Sequence, residues 1–534
     1  MRKYPLLVAS LFTVLCANAQ LYNNGAIIKI SAGAVILSTG NVTNAAGTII
    51  NDGKMEVQGN FINNATYNST ANEDSLLLTG AGAVTLNAGA STLFNLQVNK
   101  TGGGGVTLTS NANIGNKLEV LAGTFSTDPA NPYELIAPFA ATFTYAAGTE
   151  IIGKVRRNGW ANGTAKEFNG SNMKVATAGG TAPTSMLVNM VPNGDPTGAE
   201  REVKRTFAFT PTGGTGYTAD VTFPYKTSEL NTNTEATLAP WYYTAAEWNA
   251  KLTGNTVNDA SDFVSTAGIP AATFSATPWK LADPNYAITA KTYLRGAWNS
   301  GTGLMNTNLN TAGIIPLTQP YNVAPFNYAG TEAVAAIPNA NIVDWVLLEM
   351  RKPASGLPAD ATSSTIIGRK AVFLLKDGNL ADLNGTPIPL ITLNKQGTSF
   401  IVVRHRNHLA VMSLSKPSNT VGTFANDFSL LANVYKNPSA SSDPIVLLPS
   451  SALFGLWAGN ANTNTSVNAA DVSVIKAAIA ASATGYVLTD VNLSNSINAA
   501  DASIAKGTIA SSGSSSSSRA INGTLRTVVS SVPE

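Results

Sequence analysis

Leu93-Phe94-Asn95-Leu96-Gln97-Val98, a break of Asn99-Lys100-Thr101 and four glycines, then Val106-Thr107-Leu108: this stretch sets the pattern on which the fold is read. Two apolar runs of strand length flank a segment that turns easily, and neither run has a helical period. The same pattern extends from Tyr22 to Ser126 through Ala34 to Leu37, Thr48-Ile49-Ile50, Met55 to Val57, Leu76 to Leu78 and Leu118 to Leu121. Gly, Asn or Asp interrupts it about every eight to twelve residues. Asn51-Asp52-Gly53 and Gly40-Asn41 tolerate the positive backbone angles of tight turns. Such spacing predicts a β-solenoid over residues 20–129, with neighbouring rungs sharing one apolar interior. An ordinary multi-strand sandwich is the alternative on the same pattern. Outward Ser, Thr and Asn would make a polar, nearly uncharged wall suited to a stalk or an adhesive surface.

Beyond residue 129 the runs lengthen and aromatic residues gather, among them Trp160, Phe207, Phe209, Phe223, Trp241, Trp248 and Trp279. Bulky side chains at this density fill the space between two packed sheets, so residues 130–285 read as a β-sandwich domain. Thr244 to Leu252 reads as a short helix, and Arg156-Arg157 with Arg201, Lys204 and Arg205 as solvated strand faces. Residues 286–452 read as a second, Ig-like sandwich. In it Val343 to Glu349 is a core strand, and Asp377-Gly378 turns a hairpin. Phe400 to Met412 reads as one strong strand. Alternation along it would send His405 and His408 to opposite faces unless a bulge resets the register, which favours a structural role over a metal pair.

At the other end Arg2 and Lys3 precede the apolar run Tyr4 to Cys16, and Ala17-Asn18-Ala19 supplies a small-x-small cleavage pattern. Residues 1–19 therefore read as a signal peptide whose removal takes away Cys16, the one cysteine, and with it any disulfide. No later run approaches a membrane span. Charged residues reach only 12%, against about 25% in a typical soluble domain, and 33 Lys plus Arg nearly cancel 31 Asp plus Glu. That balance excludes a nucleic-acid-binding surface, which needs concentrated positive charge. Location is predicted to be secreted, extracellular or at the cell surface.

The sharpest chemical pattern lies in residues 453–512. Asn460, Asn462, Asn464, Ser466, Asn468 and Asp471 fall at positions 1, 3, 5, 7, 9 and 12 of a loop, and Asp490, Asn492, Ser494, Ser496, Asn498 and Asp501 repeat the spacing. This is how a loop wraps oxygen ligands around calcium while its last carboxylate enters the following helix. The first loop has a single carboxylate, Asp471, so the second, with Asp490 and Asp501, is the better candidate. Thr465 and Asn495 stand where a turn glycine is usual. Val472, Ile475 and Ile479 make an apolar helical stripe, whereas Gly507 weakens the second helix by about 1 kcal/mol. After the module, residues 513–534 read as a serine-rich tether and a terminal strand, usable for attachment or sorting.

These paired loops resemble the dockerin type of calcium repeat, most clearly in Asp490-Val491-Asn492-Leu493 and Ser496-Ile497-Asn498-Ala499-Ala500-Asp501. The preceding region is similar to large exported surface proteins of Bacteroidota, in which an adhesin-like β-helical region is followed by β-sandwich domains and a dockerin-like end. Gly368-Arg369-Lys370-Ala371, Val403 to Met412 and Leu456-Trp457-Ala458-Gly459 carry that likeness. The resemblance implies calcium-dependent docking onto a cohesin-like receptor, with Ser473, Lys476, Ser503 and Lys506 nearest to it; permanent packing against Trp457 and the preceding domain is the alternative, because Asn460, Asn464 and Ser494 depart from the usual acidic ligands. No nucleophile elbow, phosphate loop, dinucleotide fingerprint or zinc-protease motif is present. The expected function is a non-catalytic surface protein that adheres or self-assembles. A carbohydrate-binding or cohesin-docking component is the alternative, and a polysaccharide-active enzyme using acids such as Asp344, Glu349 or Asp377 comes third.

Overall fold

The computed structural model describes residues 19–70, 74–127, 133–193, 201–416, 422–440, 442–511 and 527–534. Residues 1–18 of the segment read as a signal peptide and the stretch from Ser512 to Ser518 read as a tether lie outside the described residues. The chain is mainly β, opens with a β-solenoid and forms two compact units, Met1–Gly198, Glu202–Ala246 and Lys251–Ala282 against Ala199–Arg201, Glu247–Ala250 and Asp283–Glu534. Among the described residues no helix is long and apolar enough to cross a membrane.

The solenoid has two parallel walls. In one, Val35–Ser38, Lys54–Val57, Ser75–Gly80, Thr92–Lys100 and Ala112–Ala122 pair in succession. In the other, Leu21–Ile30 pairs with Val42–Asn51, and Val84–Asn87, Gly105–Leu108 and Thr124–Ser126 follow further along. Pleating turns alternate residues inward, so one register stacks Met55, Leu76, Leu96, Leu118 and Phe143 into a buried apolar column. Each such side chain contributes roughly 1.5–3 kcal/mol relative to exposure. On the second wall a buried amide ladder runs beside the apolar column of Val42, Phe61, Leu86 and Leu108: Asn23 donates to Asn44 at 2.9 Å, and Asn44 to Asn63 at 2.8 Å. Gly53 is required at its corner by crowding, not by a positive backbone angle, because an added Cβ would lie 2.4 Å from the Ala34 carbonyl oxygen.

Ile151–Asn158 ends the coil. One edge pairs in parallel with Leu135–Pro138, and the other pairs antiparallel with Ser185–Pro192, which continues to Glu202–Thr212, Trp279–Ala282 and Ala239–Thr244. A second antiparallel sheet contains Lys174–Ala178, Thr218–Pro224, Phe263–Pro270 and Asn255–Asn258. Phe207, Phe209 and Trp279 of the first meet Phe223 of the second at ring distances of 5.2, 5.7 and 5.6 Å. This aromatic layer belongs to the same core cluster as the solenoid interior.

Three expectations for this region fail. Thr244 to Leu252 is not helical: two strands, Ala239–Thr244 and Glu247–Ala250, are separated by Ala245 and Ala246 at φ 50° and 62°. Arg157 is buried, its guanidinium 4.0 Å from the Phe143 ring and bonded to the carbonyls of Ala141 and Glu167, and burial pulls its pKa down to about 10. Arg205 is buried as well, held by Glu229 at 2.8 Å and Glu150 at 2.7 Å. Regular alternation places Arg157 on the inward face of Ile151–Asn158 with Ile151 and Val155, and Arg205 on that of Glu202–Thr212 with Val203, Phe207 and Phe209; these inward charges are tolerated because each is paired or hydrogen-bonded.

The second unit is built on an antiparallel sheet of Leu380–Ala381, Ile366–Leu375, Ile342–Arg351, Phe400–His405 and His408–Met412. Ile342–Arg351 is buried along its whole length, with one large cluster against it and a smaller one around Phe400, Val402 and Met412. Asp377-Gly378 turns the hairpin that pairs Leu374 with Leu380, as its sequence predicts. Helices Ala469–Ala480 and Ala499–Ser511 pack around Val472, Ile475, Val491, Ala502 and Ala505. The second helix passes through Gly507 without breaking.

Candidate functional site

Phe400 to Met412 is a hairpin rather than one strand. It reverses at Arg406-Asn407, and a register shift after Val403 brings His405 directly opposite His408. The two imidazoles therefore face each other, Nδ1 to Nδ1 at 3.1 Å, instead of pointing to opposite sides of a sheet.

Hydrogen-bond chemistry fixes their protonation. The Gly296 N–H, which can only donate, lies 3.1 Å from His408 Nε2, so that nitrogen holds the lone pair and Nδ1 carries the proton. His408 Nδ1–H faces Asn407 Oδ1 at 2.9 Å and His405 Nδ1, which leaves His405 to donate from Nε2 to Asp344 Oδ2 at 3.1 Å. Arg406 Nε donates to the same oxygen at 3.0 Å, while the Tyr486 hydroxyl and Trp345 N–H donate to Asp344 Oδ1 at 2.6 and 2.8 Å. Burial pushes the Asp344 carboxyl up, but Arg406, His405 and Tyr486 outweigh it and hold the pKa at about 2. Burial drives both imidazoles below their ordinary value, and for His408 the neighbouring His405, Arg406 and Arg295 add to the effect.

This chain fastens the loop–helix pair to the sheet. Asn407 donates its amide to the carbonyls of Leu488 at 3.1 Å and Asp490 at 2.7 Å, and Arg406 donates to the Val487 carbonyl. The Arg406 guanidinium lies 4.0 Å from the Tyr486 ring centre. Thr508 of the second helix donates to the Ala458 carbonyl at 2.8 Å, and Leu493 enters the large core cluster. A cavity of about 190 Å³ borders the hairpin, the first loop and residues Ser530 and Glu534. Both histidines line it, but each ring nitrogen already has a partner within the chain.

The spacing of the loops is realised as two related turns. In the second, Asp490 accepts from the Ser494 and Asn495 N–H groups at 3.0 and 2.8 Å, and Asp501 accepts from those of Val491, Asn492 and Asn498 at 2.9, 3.2 and 2.9 Å. Asn492 Oδ1 accepts from Ser494 N at 3.1 Å, and Ser494 Oγ donates to the Ser496 carbonyl. Asn495 takes φ 66°, the left-handed angle a glycine would otherwise supply. Burial raises the Asp490 and Asp501 pKa values, and for Asp490 the nearby Asp501 adds to the rise. Two buried carboxylates with spare lone pairs, beside the Asn492 amide oxygen, fit a hard cation.

The first loop is closed on itself. Asn460 donates its amide to the Asn464 carbonyl at 2.6 Å, and its buried Oδ1 lacks a partner. Asn462 Oδ1 accepts from Asn464 N, Asn464 Oδ1 from Ser466 N, and Asp471 from the N–H groups of Asn462 and Asn468. Asn468 caps the first helix through Ala470 N at 2.8 Å. The amide nitrogen at position 1 and the single carboxylate fit a cation less well than the second loop does.

Among the described residues, no group of three or more His, Cys, Asp or Glu side chains converges as a metal cluster. Glu349 is enclosed by Arg351, Arg369 and Arg404 at 2.7, 3.2 and 3.3 Å, and Asp377 is used by the Asn379 turn. Trp241 and Trp248 are buried, so neither offers the aromatic platform that a sugar-stacking surface would need. Tyr486 and Gly296 carry no signal in the sequence; the Arg-His-Arg-Asn-His cluster within an apolar run, Asn407 included, marks the place. Comparison with family models, curated proteins and solved structures finds no match to this chain.

Proposed function

We propose that this chain is an exported, non-catalytic surface protein that holds structures together, joining other copies or another surface protein through the open first rung of its solenoid. One observation carries the reading. Tyr22, Ile27, Val35 and Leu37 all lie on that rung and are 64%, 74%, 60% and 53% exposed. Their strands pair on one side only among the described residues. A solenoid end normally needs a polar cap, and an apolar edge with unpaired backbone groups is a template for strand addition.

In this reading residues 1–19 are the export signal, the paired sheets of the first unit and the sheet of the second are sandwich modules, and residues 453–512 are a dockerin-like repeat. Calcium in the second loop, held by Asp490, Asn492, Ser494, Ser496 and Asp501, would neutralise two buried carboxylates and brace the module; the first loop, with Asn460, Asn462, Asn464, Ser466 and Asp471, is the weaker site. Docking onto a cohesin-like receptor is a second reading, favoured by the exposure of Ser473, Lys476, Ser503 and Lys506 on the helix faces away from the sheet.

The test is the association state of the purified chain lacking residues 1–19, followed by sedimentation across a concentration series. Concentration-dependent association is expected, and the double variant Ile27→Lys/Val35→Glu should associate several-fold more weakly than wild type, with an unchanged circular dichroism spectrum. A wild-type chain that stays monomeric throughout, or a double variant that associates as well as wild type, would exclude the first rung as the joining surface.

A further inference from the structure

Residues 527–534 lie in a groove of the second unit and complete it. Val528–Val529 pairs antiparallel with Ser466–Val467, placing Val529 opposite Ser466 and Val528 opposite Val467. Ser530 N–H donates to the Thr465 carbonyl at 2.7 Å, and Val532 fills the small apolar cluster of Phe400, Val402 and Met412. Arg351 donates to the Pro533 carbonyl, and Arg404 donates to the Glu534 carboxylate at 3.0 and 3.1 Å. Among the described residues outside the segment, Glu349 is the carboxylate that pairs with Arg351, Arg369 and Arg404, so the segment brings an extra carboxylate and a carbonyl to a site with excess positive charge.

The groove thus recognises an extended segment through backbone pairing, one apolar pocket and one arginine–carboxylate pair. Nothing in those contacts depends on the segment belonging to the same chain. Chain length makes the point concrete. Ile509, near the end of the second helix, packs against the same cluster as Val528, so departure and return lie close together. Residues 512–526 join them, and fifteen residues can extend to roughly 50 Å. That is far more chain than the local return needs, and lengthening a connection costs little closure entropy.

We propose that residues 527–534 form an exchangeable strand, which occupies the groove of its own chain or the same groove of a second copy. Exchange links copies through a surface unrelated to the first solenoid rung.

The experiment uses the full chain without residues 1–19, which contains no cysteine, in the Ile27→Lys/Val35→Glu background so that solenoid-end association is weakened. Ser466→Cys and Val529→Cys are made as separate variants, mixed, and oxidised. Exchange predicts a disulfide-linked dimer in the mixture several-fold above that formed by either variant alone. The chain carrying both substitutions must form its bond internally, which verifies the register. If it does and the mixture yields no more dimer than the separate variants, the proposal is overturned. If the doubly substituted chain fails to crosslink, the pairing of Ser466 with Val529 is wrong and the proposal falls with it. Arg404→Ala in the Ser466→Cys partner should lower the mixed dimer several-fold if the groove recognises Glu534; an unchanged yield assigns the crosslink to random collision.

Discussion

Asp344 accepts hydrogen bonds from His405, Arg406, Tyr486 and the Trp345 backbone while buried in the core of the second unit. Asp344→Asn keeps the shape but removes the charge opposite Arg406, and breaking a buried pair in this way costs about 3–5 kcal/mol. Denaturant melts of the variant should show a loss of that size; a loss within the error of the wild-type measurement would mean that Arg406 finds another partner. The histidines add a pH dependence of predictable sign. Both are neutral when folded, whereas the unfolded chain takes up protons below about pH 6.5. Their contribution to stability is therefore complete above that pH and is lost as pH falls toward the depressed folded values. Asp344, held at about 2, adds a second loss below about pH 4. Melts between neutral and mildly acidic pH should show the first decline, and His408→Asn should flatten it; equal stability across the range would exclude neutral buried imidazoles.

The hairpin that holds these histidines shows where sequence and element part. Its strands lie in a sheet covered on both sides, so residues on either face are apolar and the usual alternation is absent. Arg406-Asn407 carries no glycine or proline, and the reversal went unseen, whereas Asp377-Gly378 announced its own turn. Ala245-Ala246 fails for a related reason: alanine favours helix, yet tertiary pairing places both residues at positive φ. Two glycines now separate packing from propensity. At Gly296 a Cβ would lie 1.9 Å from the Val491 carbonyl oxygen and 3.1 Å from His408 Nε2, so Gly296→Ala must push the second loop away from the hairpin. A cost of about 1–3 kcal/mol is expected, with faster amide exchange across residues 486–493. Gly507 meets nothing within 4 Å, so Gly507→Ala should stabilise the second helix by roughly 0.5–1 kcal/mol. If both substitutions changed the melting temperature alike, the loop would not be fastened at Gly296.

At the scale of the molecule, the solenoid was legible because each rung repeats the task of its neighbour, and a short run such as Met55 to Val57 reports its own inward face. The junction at Ile151–Asn158 was not, because one strand edge is parallel and the other antiparallel, a property no local pattern encodes. The loops were legible as spacing, but their fastening depends on Asn407 and Tyr486, which meet them only in the fold. That fastening gives calcium a consequence beyond its ligands. Asn407 grips the Asp490 carbonyl, so a cation held by the Asp490 and Asp501 carboxylates would brace the loop against the same hairpin that carries the buried histidine chain. Binding to the folded state alone stabilises it by about 2.7 kcal/mol at a hundredfold excess over Kd. Calorimetric melting of the full chain in calcium should therefore move the second-unit transition upward relative to chelator, with Asp471→Asn retaining the shift and Asp490→Asn/Asp501→Asn abolishing it. The shift should weaken as pH falls, because burial holds both carboxyls above their usual range and a protonated carboxyl does not ligate. A transition indifferent to calcium, or a shift that survives the double substitution, would leave the second loop as a hydrogen-bonded turn without a metal.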